Sequence, residues 1–431
     1  MSILIMGTGY VGITTAIMFA ELGIPSTGFD SNAGKIAMLN QGHLPIYEPG
    51  MEPILAKHLA SGTLRFVQDE EEAIREHQTV FLCVGTPSNS DGSANLHAIK
   101  QASEWIGKYM QAETLVVIKS TVPVGVNEKV SEWISRKQTS PIPFDVVMNP
   151  EFLREGSALE DALAPDRIVV GSDNMEAAWR LLSLYAAIEC PKIITTPKAA
   201  VMIKYASNAF LATKISFVNE LSGLCDRLGI DIEEVSHGMG LDPRIGTKFL
   251  RAGIGYGGSC FPKDVDALLH TAAASRQRLT IIENAAKVNR IQPLQALDKW
   301  ELKMPSTFSG KTVAVLGIAF KPITDDLREA PSLVILSELL AKQAKIRVHD
   351  PLAVLPAHFR SLGIMQYDSI EEALQGADAV ILCTEWPEYR QADWQAMKPL
   401  LNGNFVFDGR NALDKQSLTT LGYEYYGISR H

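Results

Sequence analysis

The stretch Ile3–Gly23, ILIMGTGYVGITTAIMFAELG, decides the fold of this 431-residue chain. Its first four residues predict a buried strand, its glycines a tight turn, and the apolar run after them a helix. Gly7, Gly9 and Gly12 fit the pattern G-x-G-x-x-G, and the following STGFD ends a second strand at Asp30. In this strand–turn–helix context, the pattern predicts a Rossmann-like unit that binds a dinucleotide on the helix N-terminus.

The acidic residue after the second strand indicates which dinucleotide binds. Asp30 stands 18 residues beyond Gly12, where a carboxylate accepts hydrogen bonds from the adenosine ribose and repels a 2′-phosphate. Ser31 and Asn32 follow it, and neither is the arginine that an NADP site often supplies. We therefore predict NAD as the cofactor; the alternative is a glycine turn without a cofactor.

Composition narrows the class of protein further. The length predicts two or three domains, and 46% hydrophobic with 21% charged residues is typical of a soluble globular protein. Forty Lys and Arg against 49 Asp and Glu give a net charge of −9, which argues against nucleic acid as the main partner. No apolar run approaches the roughly 18 residues of a membrane span. Five cysteines without a CxxC pair predict neither a disulfide framework nor a zinc site, so we expect a cytoplasmic protein without a metal or a membrane partner.

Three more apolar runs predict strands that continue the first sheet: TVFLCVGTP at 79–87, TLVVIKSTVP at 114–123 and FDVVMNPEF at 144–152. Each run ends in a polar or proline-bearing loop. In a doubly wound sheet, such loops lie at the carboxyl ends of the strands, where ligands bind. Thr86, Thr121 and Glu151 are therefore expected on one rim.

The C-terminal part repeats this order of strands from about residue 310, in the segments KTVAVLGIAF at 311–320, IRVHDP at 346–351, DAVILCTEW at 378–386 and NFVFDGRN at 404–411. We predict a second Rossmann-like sheet. Only Gly317 remains of the fingerprint. Lys321 and Arg328 follow that turn, either as ligands of a diphosphate or as two solvated cations.

Between the two sheets, residues 199–229 predict one long helix. Lys204 and Asn208 stand four residues apart on it and therefore project from one face. Burying such groups unpaired is costly, so they either have a function or belong to a solvated stripe with Lys214. A long central helix also suits a dimer. The fold class predicted is α/β, with two Rossmann-like doubly wound sheets joined by a long central helix and a helical middle domain.

The loop GIGYGGSCFPKD at 253–264 places Cys260 among four glycines, with Lys263 and Asp264 close behind. A nearby cation favours the reactive thiolate. Beside an NAD domain, a thiolate is useful when an aldehyde must be oxidised further, since its thiohemiacetal can lose a hydride and leave a thioester for water to hydrolyse. The alternative is that Cys260 is a small packing residue.

Six segments in order carry a resemblance to a known family: GTGYVG at 7–12, STVPVG at 120–125, NPEFLREG at 149–156, KYASNAFLATKISFVNE at 204–220, GIGYGGSCFPKD at 253–264 and FKPITDDLREAPS at 320–332. With them the chain resembles the UDP-glucose 6-dehydrogenases of the UDP-glucose/GDP-mannose dehydrogenase family over nearly its whole length. The resemblance implies oxidation of UDP-glucose to UDP-glucuronate with two NAD and one water. It also implies an NAD-binding domain at 1–198, a central helical and dimerisation domain with the catalytic loop at 199–300, and a UDP-sugar-binding domain at 301–431.

The same resemblance implies catalytic roles. Cys260 would be the nucleophile, and Lys204 and Asp264 would handle the ordered water and the C6 oxygen, with Asn208 donating to that oxygen. Glu151 would act in thioester hydrolysis, with Thr121 positioning the water.

It further implies the binding residues and a homodimer in which Arg244 reaches the partner's site. For NAD the matching positions are Gly7, Gly9, Tyr10, Val11, Gly12, Asp30, Lys35, Thr86, Thr121, Glu155, Lys263 and Arg328. For the UDP-sugar they are Glu151, Phe152, Leu153, Arg154, Lys204, Asn208, Arg244, Phe249, Tyr256, Gly257 and Lys321.

Three alternatives remain at this stage. A sister enzyme acting on UDP-N-acetylmannosamine or GDP-mannose would share the four-electron chemistry. A single-step β-hydroxyacid dehydrogenase would share the fingerprint but would have no use for Cys260. A catalytically inactive NAD or UDP-sugar sensor would be expected to lack Cys260, Lys204 or Asp264, and all three are present.

Overall fold

The computed structural model describes residues 2–430 of the chain. It divides into two compact units. The first comprises the residues up to Ser207 together with Asp266–Gln277, and the second comprises Asn208–Val265 together with the residues from Arg278 onward. Within the described residues, no helix is both long enough and apolar enough to cross a membrane.

The first unit contains an eight-stranded sheet. Its strands are β1 Ile3–Met6, β2 Ser26–Phe29, β3 Leu64–Val67, β4 Thr79–Leu82, β5 Thr114–Ile118, β6 Phe144–Met148, β7 Ile168–Gly171 and β8 Lys192–Thr195. They are ordered β3-β2-β1-β4-β5-β6-β7-β8. All neighbours are parallel except β6 and β7. The central strands are fully buried, as strands of a parallel sheet covered on both faces must be.

Eight helices accompany this sheet: α1 Tyr10–Glu21, α2 Ala33–Asn40, α3 Met51–Ser61, α4 Glu70–Arg75, α5 His97–Tyr109, α6 Val126–Lys137, α7 Ala158–Leu163 and α8 Met175–Leu184. Several begin at a polar side chain that accepts a hydrogen bond from the first turn, as Asn32 does for α2 and Asp69 for α4. Their apolar faces and the sheet form one core, in which Ile5, Phe19 and Phe81 are inaccessible to solvent.

Four helices follow: α9 Pro197–Leu228, α10 Ile232–Gly240, α11 Phe261–Ala274 and α12 Thr280–Glu301. The long helix predicted from the sequence is confirmed, because α9 has 32 residues and passes through Gly223. Pro197 is its first residue, where a missing N–H costs nothing.

The second unit contains a six-stranded, wholly parallel sheet. Its strands are β9 Thr312–Leu316, β10 Lys345–His349, β11 Met365–Gln366, β12 Ala379–Leu382, β13 Phe405–Asp408 and β14 Glu424–Gly427. The order β11-β10-β9-β12-β13-β14 contains the four predicted strands and adds an edge strand on either side. Six short elements cover it: α13 Pro331–Ala341, α14 Ala357–Ser361, α15 Ile370–Leu374, α16 Pro387–Arg390, α17 Trp394–Met397 and α18 Lys415–Thr420, with a 3₁₀ turn at Lys398–Leu400. The predicted α/β class with two Rossmann-like sheets and a long central helix is confirmed.

Candidate active site

The turn between β1 and α1 leaves room for a ligand. Gly7 has a φ of +97°, and a Cβ at Gly12 would lie 1.8 Å from the Gly7 carbonyl oxygen, so both positions require glycine for the turn itself. A Cβ at Gly9 would meet no atom within 4 Å. Because packing does not exclude a side chain at Gly9, the open space there fits the close approach of a pyrophosphate.

Asp30, at the end of β2, is held as a carboxylate beside this turn. Its Oδ2 accepts from the Thr8 backbone N–H at 3.0 Å and from the Thr8 hydroxyl at 2.9 Å, while its Oδ1 accepts from the Asn32 N–H at 2.9 Å. Burial alone would raise the pKa of Asp30, but these bonds and the charge of Lys35, 3.7 Å away, lower it. Asp30 is thus an ionised carboxylate at the end of β2, with the Lys35 ammonium group beside it.

The predicted rim is present in the first sheet. Strands β4, β5 and β6 are adjacent and parallel, so Thr86, Thr121 and Glu151 follow the same end of the sheet, as expected. The Thr86 hydroxyl donates to the Thr121 carbonyl oxygen at 2.7 Å and ties two of these loops together.

Tyr10 links the glycine turn to the loop after Glu151. Its hydroxyl donates to Glu48 and accepts from the Gly156 N–H at 2.8 Å. The buried Glu48 carboxylate also accepts from the N–H groups of Gly156 at 2.8 Å and Ala158 at 2.7 Å. Glu48 was missed by the sequence analysis, since a side chain that holds distant backbone groups leaves no local pattern.

The remaining predicted residues near the turn and this loop are half-buried or exposed. Val11, in α1, is half-buried and packs against the core of the first unit. In the loop, Leu153 and Glu155 are half-buried. Arg154 is exposed and pairs with Asp161, with Nε to Oδ2 at 3.0 Å.

Lys204 and Glu151 form a buried ion pair, with Lys204 Nζ donating to Glu151 Oε1 at 3.0 Å. The residues are 3% and 7% exposed, so the alternative of a solvated stripe on α9 is wrong. Burial alone would raise the pKa of Glu151, but the charge of Lys204, the Leu153 N–H bond at 2.7 Å and the charge of Lys119 together lower it. The centroid of the Phe152 ring lies 5.5 Å from Lys204 Nζ.

Lys119 is a second buried cation near Glu151. Its Nζ donates to Asn149 Oδ1 at 3.1 Å, and the Tyr185 hydroxyl donates to the same oxygen at 2.7 Å. Burial lowers the pKa of Lys119, while Glu151 opposes that effect. The Glu151 carboxylate is thus held ionised by two lysines.

In the second unit, Cys260 lies directly before the first residue of α11 and is partly exposed. The partial positive charge of a helix N-terminus favours a thiolate there. Asp264, in the first turn of that helix, is 1% exposed. It accepts from Asn208 Nδ2 at 2.6 Å and from Lys263 Nζ at 2.7 Å. The structure therefore places a thiol and a buried carboxylate on one short segment and brings the Asn208 amide of α9 to that carboxylate.

The glycines before Cys260 allow close packing against the C-terminal sheet. A Cβ at Gly257 would lie 2.2 Å from the Glu329 carbonyl oxygen, and Gly258 has a φ of +85°. Arg410, which the sequence analysis missed, donates to the carbonyl oxygens of Gly255 at 2.8 Å, Phe320 at 3.1 Å and Cys383 at 2.7 Å. Its position just after β13, at the carboxyl end of a predicted strand, was the available signal.

The predicted substrate aromatics meet around one ring. Phe261 lies 6.0 Å from Phe249 and 5.8 Å from Tyr256, between ring centroids. Phe249 has a φ of +65°, an uncommon backbone conformation for a bulky residue. Such outliers occur preferentially at ligand-binding sites.

Three cationic residues of the second unit that were predicted to bind a ligand are exposed or half-buried. Arg244 is exposed and pairs with Asp242 at 2.6 Å. Lys321 lies 5.4 Å from the Phe320 ring. The Arg328 Nε donates to Asp326 Oδ1 at 2.8 Å.

The predicted catalytic residues are divided between the two units. Thr121, Glu151 and Lys204 belong to the first, whereas Asn208, Cys260 and Asp264 belong to the second. Among residues 2–430, no group of three or more His, Cys, Asp or Glu side chains is arranged to hold a metal ion.

Family models match the chain in three consecutive parts. The NAD binding domain of the UDP-glucose/GDP-mannose dehydrogenase family matches residues 1–189, its central domain matches 198–291, and its UDP binding domain matches 314–415. The chain belongs to the UDP-glucose/GDP-mannose dehydrogenase family. It is therefore an NAD-dependent oxidoreductase, and the turn at Gly7–Gly12 belongs to the NAD-binding domain of that family.

Individual relatives of the family are similar over the full length. UDP-glucose 6-dehydrogenase YwqF of Bacillus subtilis is 44% identical over 431 residues, covering 100% of this chain and 98% of the relative. A UDP-glucose dehydrogenase from Pyrobaculum islandicum has a similar structure, with a TM-score of 0.92, 38% identity and coverage of 100% and 98%. A UDP-D-ManNAc dehydrogenase from Pyrococcus horikoshii gives a TM-score of 0.89 at 27% identity, with coverage of 100% and 99%.

Replacing Asp30 with alanine is expected to weaken NAD binding. Loss of an ionised acceptor for the ribose should raise the KM for NAD about tenfold, equivalent to about 1.4 kcal/mol, with kcat changed less than about twofold. Initial rates at varied NAD concentration measure this effect. Ser31→Ala, an exposed neighbour, is the control, and an unchanged KM in Asp30→Ala would contradict the assignment.

Proposed function

We propose that this protein oxidises UDP-glucose to UDP-glucuronate. The observation that carries the proposal is a partly exposed thiol at a helix start, Cys260, within one turn of the buried Asp264, in a chain of this family. The full-length similarity to UDP-glucose 6-dehydrogenases supports glucose as the sugar. NAD supplies the chemistry of a hydride acceptor, and two equivalents are consumed.

The first step converts the C6 alcohol to an aldehyde. The hydroxyl proton is lost to a base through an ordered water, and the C6 hydrogen leaves as hydride. Lys204 and Asp264 are proposed to hold that water and the C6 oxygen, with Asn208 donating to the same oxygen. Charge placed in advance near an oxygen that becomes negative lowers the barrier.

The second step uses the thiol. Cys260 Sγ bonds to the aldehyde carbon and the carbonyl oxygen gains the proton of the thiol. The resulting thiohemiacetal then loses its hydroxyl proton to water and its remaining C6 hydrogen as hydride, which gives a thioester. Water then attacks the thioester carbon, the C–S bond breaks and the thiol is restored. In total, one alcohol, two NAD and one water give a carboxylate, two NADH and three protons.

Glu151 and Thr121 are proposed to serve the hydrolysis. Glu151 is ionised and buried, so it can accept a proton from the attacking water, and the Thr121 hydroxyl can position that water. Lys204, bonded to Glu151, keeps the carboxylate in its charged form between turnovers.

The remaining assignments from the sequence stand as part of this proposal. NAD would contact Gly7, Gly9, Tyr10, Val11, Gly12, Asp30, Lys35, Thr86, Thr121, Glu155, Lys263 and Arg328. The UDP-sugar would contact Glu151, Phe152, Leu153, Arg154, Lys204, Asn208, Arg244, Phe249, Tyr256, Gly257 and Lys321. The domain boundaries 1–198, 199–300 and 301–431 and a cytoplasmic location are also proposed.

A homodimer is proposed from the surface of α9. From its middle onward, α9 exposes four large apolar side chains spaced seven, seven and four residues apart. They are Phe210, Phe217, Leu224 and Leu228, at 66%, 46%, 53% and 62% exposure. A stripe of this kind is typical of a helix that packs against another helix.

The ratio of NADH formed to UDP-glucose consumed tests the proposed function. We expect a ratio of two, with the product retained on an anion exchanger as a carboxylate. A ratio of one would indicate a simple alcohol dehydrogenase and would overturn the proposal. The same assay with UDP-N-acetylmannosamine and GDP-mannose decides the sugar, since a higher kcat/KM for either would assign the chain to that sister activity.

A further inference from the structure

A single side-chain amide binds both backbone groups of Tyr256 in the loop that precedes Cys260. Asn289 Oδ1 accepts from the Tyr256 N–H at 2.8 Å, and Asn289 Nδ2 donates to the Tyr256 carbonyl oxygen at 3.0 Å. The amide thus pairs with Tyr256 as a residue of a neighbouring strand would. A Cβ at Gly255 would lie 2.8 Å from the same Oδ1, so the close approach requires glycine.

Two further side-chain amides hold the start of the loop. Asn219 Oδ1 accepts from the Gly253 N–H at 2.9 Å, and Gln292 Nε2 donates to the Gly253 carbonyl oxygen at 2.8 Å. Both side chains are buried. Asn289 and Gln292 are three residues apart on α12 and therefore lie on one face.

These bonds fix a segment that has no strand or helix of its own. The backbone from Ala252 to Gly258 is buried, so its polar groups need partners. At Gly253 and Tyr256, the partners come from side chains of α9 and α12. Cys260 follows two residues after Gly258, and the place of its thiol therefore depends on how these amides hold the loop.

We propose that Asn289, supported by Gln292 and Asn219, is a positioning residue that sets the place of Cys260 Sγ for its addition to the aldehyde. The side-chain hydrogen bonds of Asn289 go to the backbone of Tyr256, so Asn289 acts on Cys260 through the loop. The inference rests on the proposed function for the role of the thiol. A displacement of about 1 Å in a reacting group can cost about a hundredfold in rate. Because Tyr256 and Gly257 are also proposed substrate contacts, KM rises too, but by less than kcat falls, since the other proposed contacts remain.

Asn289→Ala tests the proposal, with Gln295→Ala as the matched control, an exposed amide on the same helix. We expect kcat to fall about tenfold to a hundredfold in Asn289→Ala, while KM for UDP-glucose rises by no more than about fivefold, because Tyr256 is one of several proposed substrate contacts. The rate of Cys260 alkylation by iodoacetamide, followed by mass spectrometry without substrate, should differ from the parent severalfold. The control should match the parent in each measurement.

Asn289→Asp separates positioning from a general loss of folding. An ionised carboxylate accepts from the Tyr256 N–H but opposes its carbonyl oxygen, while a protonated carboxyl both accepts and donates, as the amide does. The ratio of the variant's kcat to the parent's should therefore rise as the pH is lowered toward about 5, since a carboxyl facing a carbonyl oxygen has a raised pKa. Arg410, which binds the same loop through Gly255, keeps its charge over this range.

Each outcome is decisive. Parental kcat and alkylation rates in Asn289→Ala, or a pH-independent ratio in a folded Asn289→Asp, would overturn the proposal. A rise in KM for UDP-glucose as large as the fall in kcat, together with a lowered melting temperature, would also overturn it, because that result would indicate a structural role only. If the parent formed no NADH from UDP-glucose, the proposed function would fail, and the alkylation rates would still decide whether Asn289 positions the thiol.

Discussion

Cys260→Ser will abolish steady-state formation of UDP-glucuronate, with kcat lowered about a thousandfold or more. A serine hydroxyl is a far weaker nucleophile than a thiolate at neutral pH, so the covalent adduct that carries the second hydride transfer will not form. The first oxidation needs no thiol. Single-turnover absorbance measurements should therefore show at most one NADH per site, against two in the parent.

The control for this substitution is Cys190→Ser. Cys190 is the other partly exposed cysteine, and it lies near β8 in the first unit, away from the glycine loop in sequence. Its replacement should leave both turnover and stoichiometry unchanged. Full steady-state activity in Cys260→Ser would show that Cys260 is a packing residue, as the alternative sequence interpretation holds.

Lys204→Met is expected to reduce both activity and stability. It removes the cation that lies 3.0 Å from the buried Glu151 carboxylate and leaves Lys119 as a more distant partner. Breaking one side of a buried ion pair costs about 3 kcal/mol in the free energy of unfolding. Loss of a positioned charge should also lower kcat about a hundredfold or more. Urea unfolding and initial rates measure the two effects separately.

The double variant Lys204→Met with Glu151→Gln is the matched control. With both charges removed, no uncompensated carboxylate remains, so stability should recover most of the loss while activity stays low. A double variant that is less stable than either single variant would contradict the assignment of a coupled pair.

The Lys204–Glu151 ion pair also predicts how the stability of the protein depends on pH. In the parent, the pKa of Glu151 is lowered in the folded state from the ordinary value of 4.5. This stabilisation is present above that value and is lost as the pH falls through the lower folded pKa. In Lys204→Met, burial should instead raise the pKa of Glu151 in the folded state above its unfolded value. The contribution of Glu151 to the free energy of unfolding should then increase as the pH falls and decrease as the pH rises. Unfolding midpoints between about pH 4 and 7 test the change of sign.

The fold was largely predictable because its strongest signals are local. Ile3–Met6 and the glycines after it specify a strand and a turn within a few residues, and α9 is continuous and apolar enough to identify. The reversed direction of β7 next to β6 was not predicted. Strand direction depends on pairing between segments that are distant in sequence, and no residue in Ile168–Gly171 signals it.

The sequence predicted the chemically unusual residues of the candidate site, but it did not predict the residues that hold them in place. Cys260 and Lys204 stand out from their surroundings, so the sequence indicated both. That Lys204 pairs with Glu151, 53 residues earlier, did not follow from spacing. Asn289 and Glu48 act on backbone groups, which every residue has, and so they leave no recognisable pattern. Arg410 also acts on backbone groups, and its only signal was its position after a predicted strand.

Arg410 limits how freely parts of this chain can be exchanged with those of relatives. Its guanidinium joins the segments at Gly255, Phe320 and Cys383, of which the first lies well outside residues 301–431. Consider a chimaera in which only the C-terminal sheet is replaced by that of a relative that binds another nucleotide. The hydrogen bond from Arg410 to the Gly255 carbonyl oxygen would be lost unless the relative's sheet supplies an equivalent arginine. Recombination at residue 301 therefore separates partners that fold together, and a productive exchange would carry residues 252–258 along with the sheet.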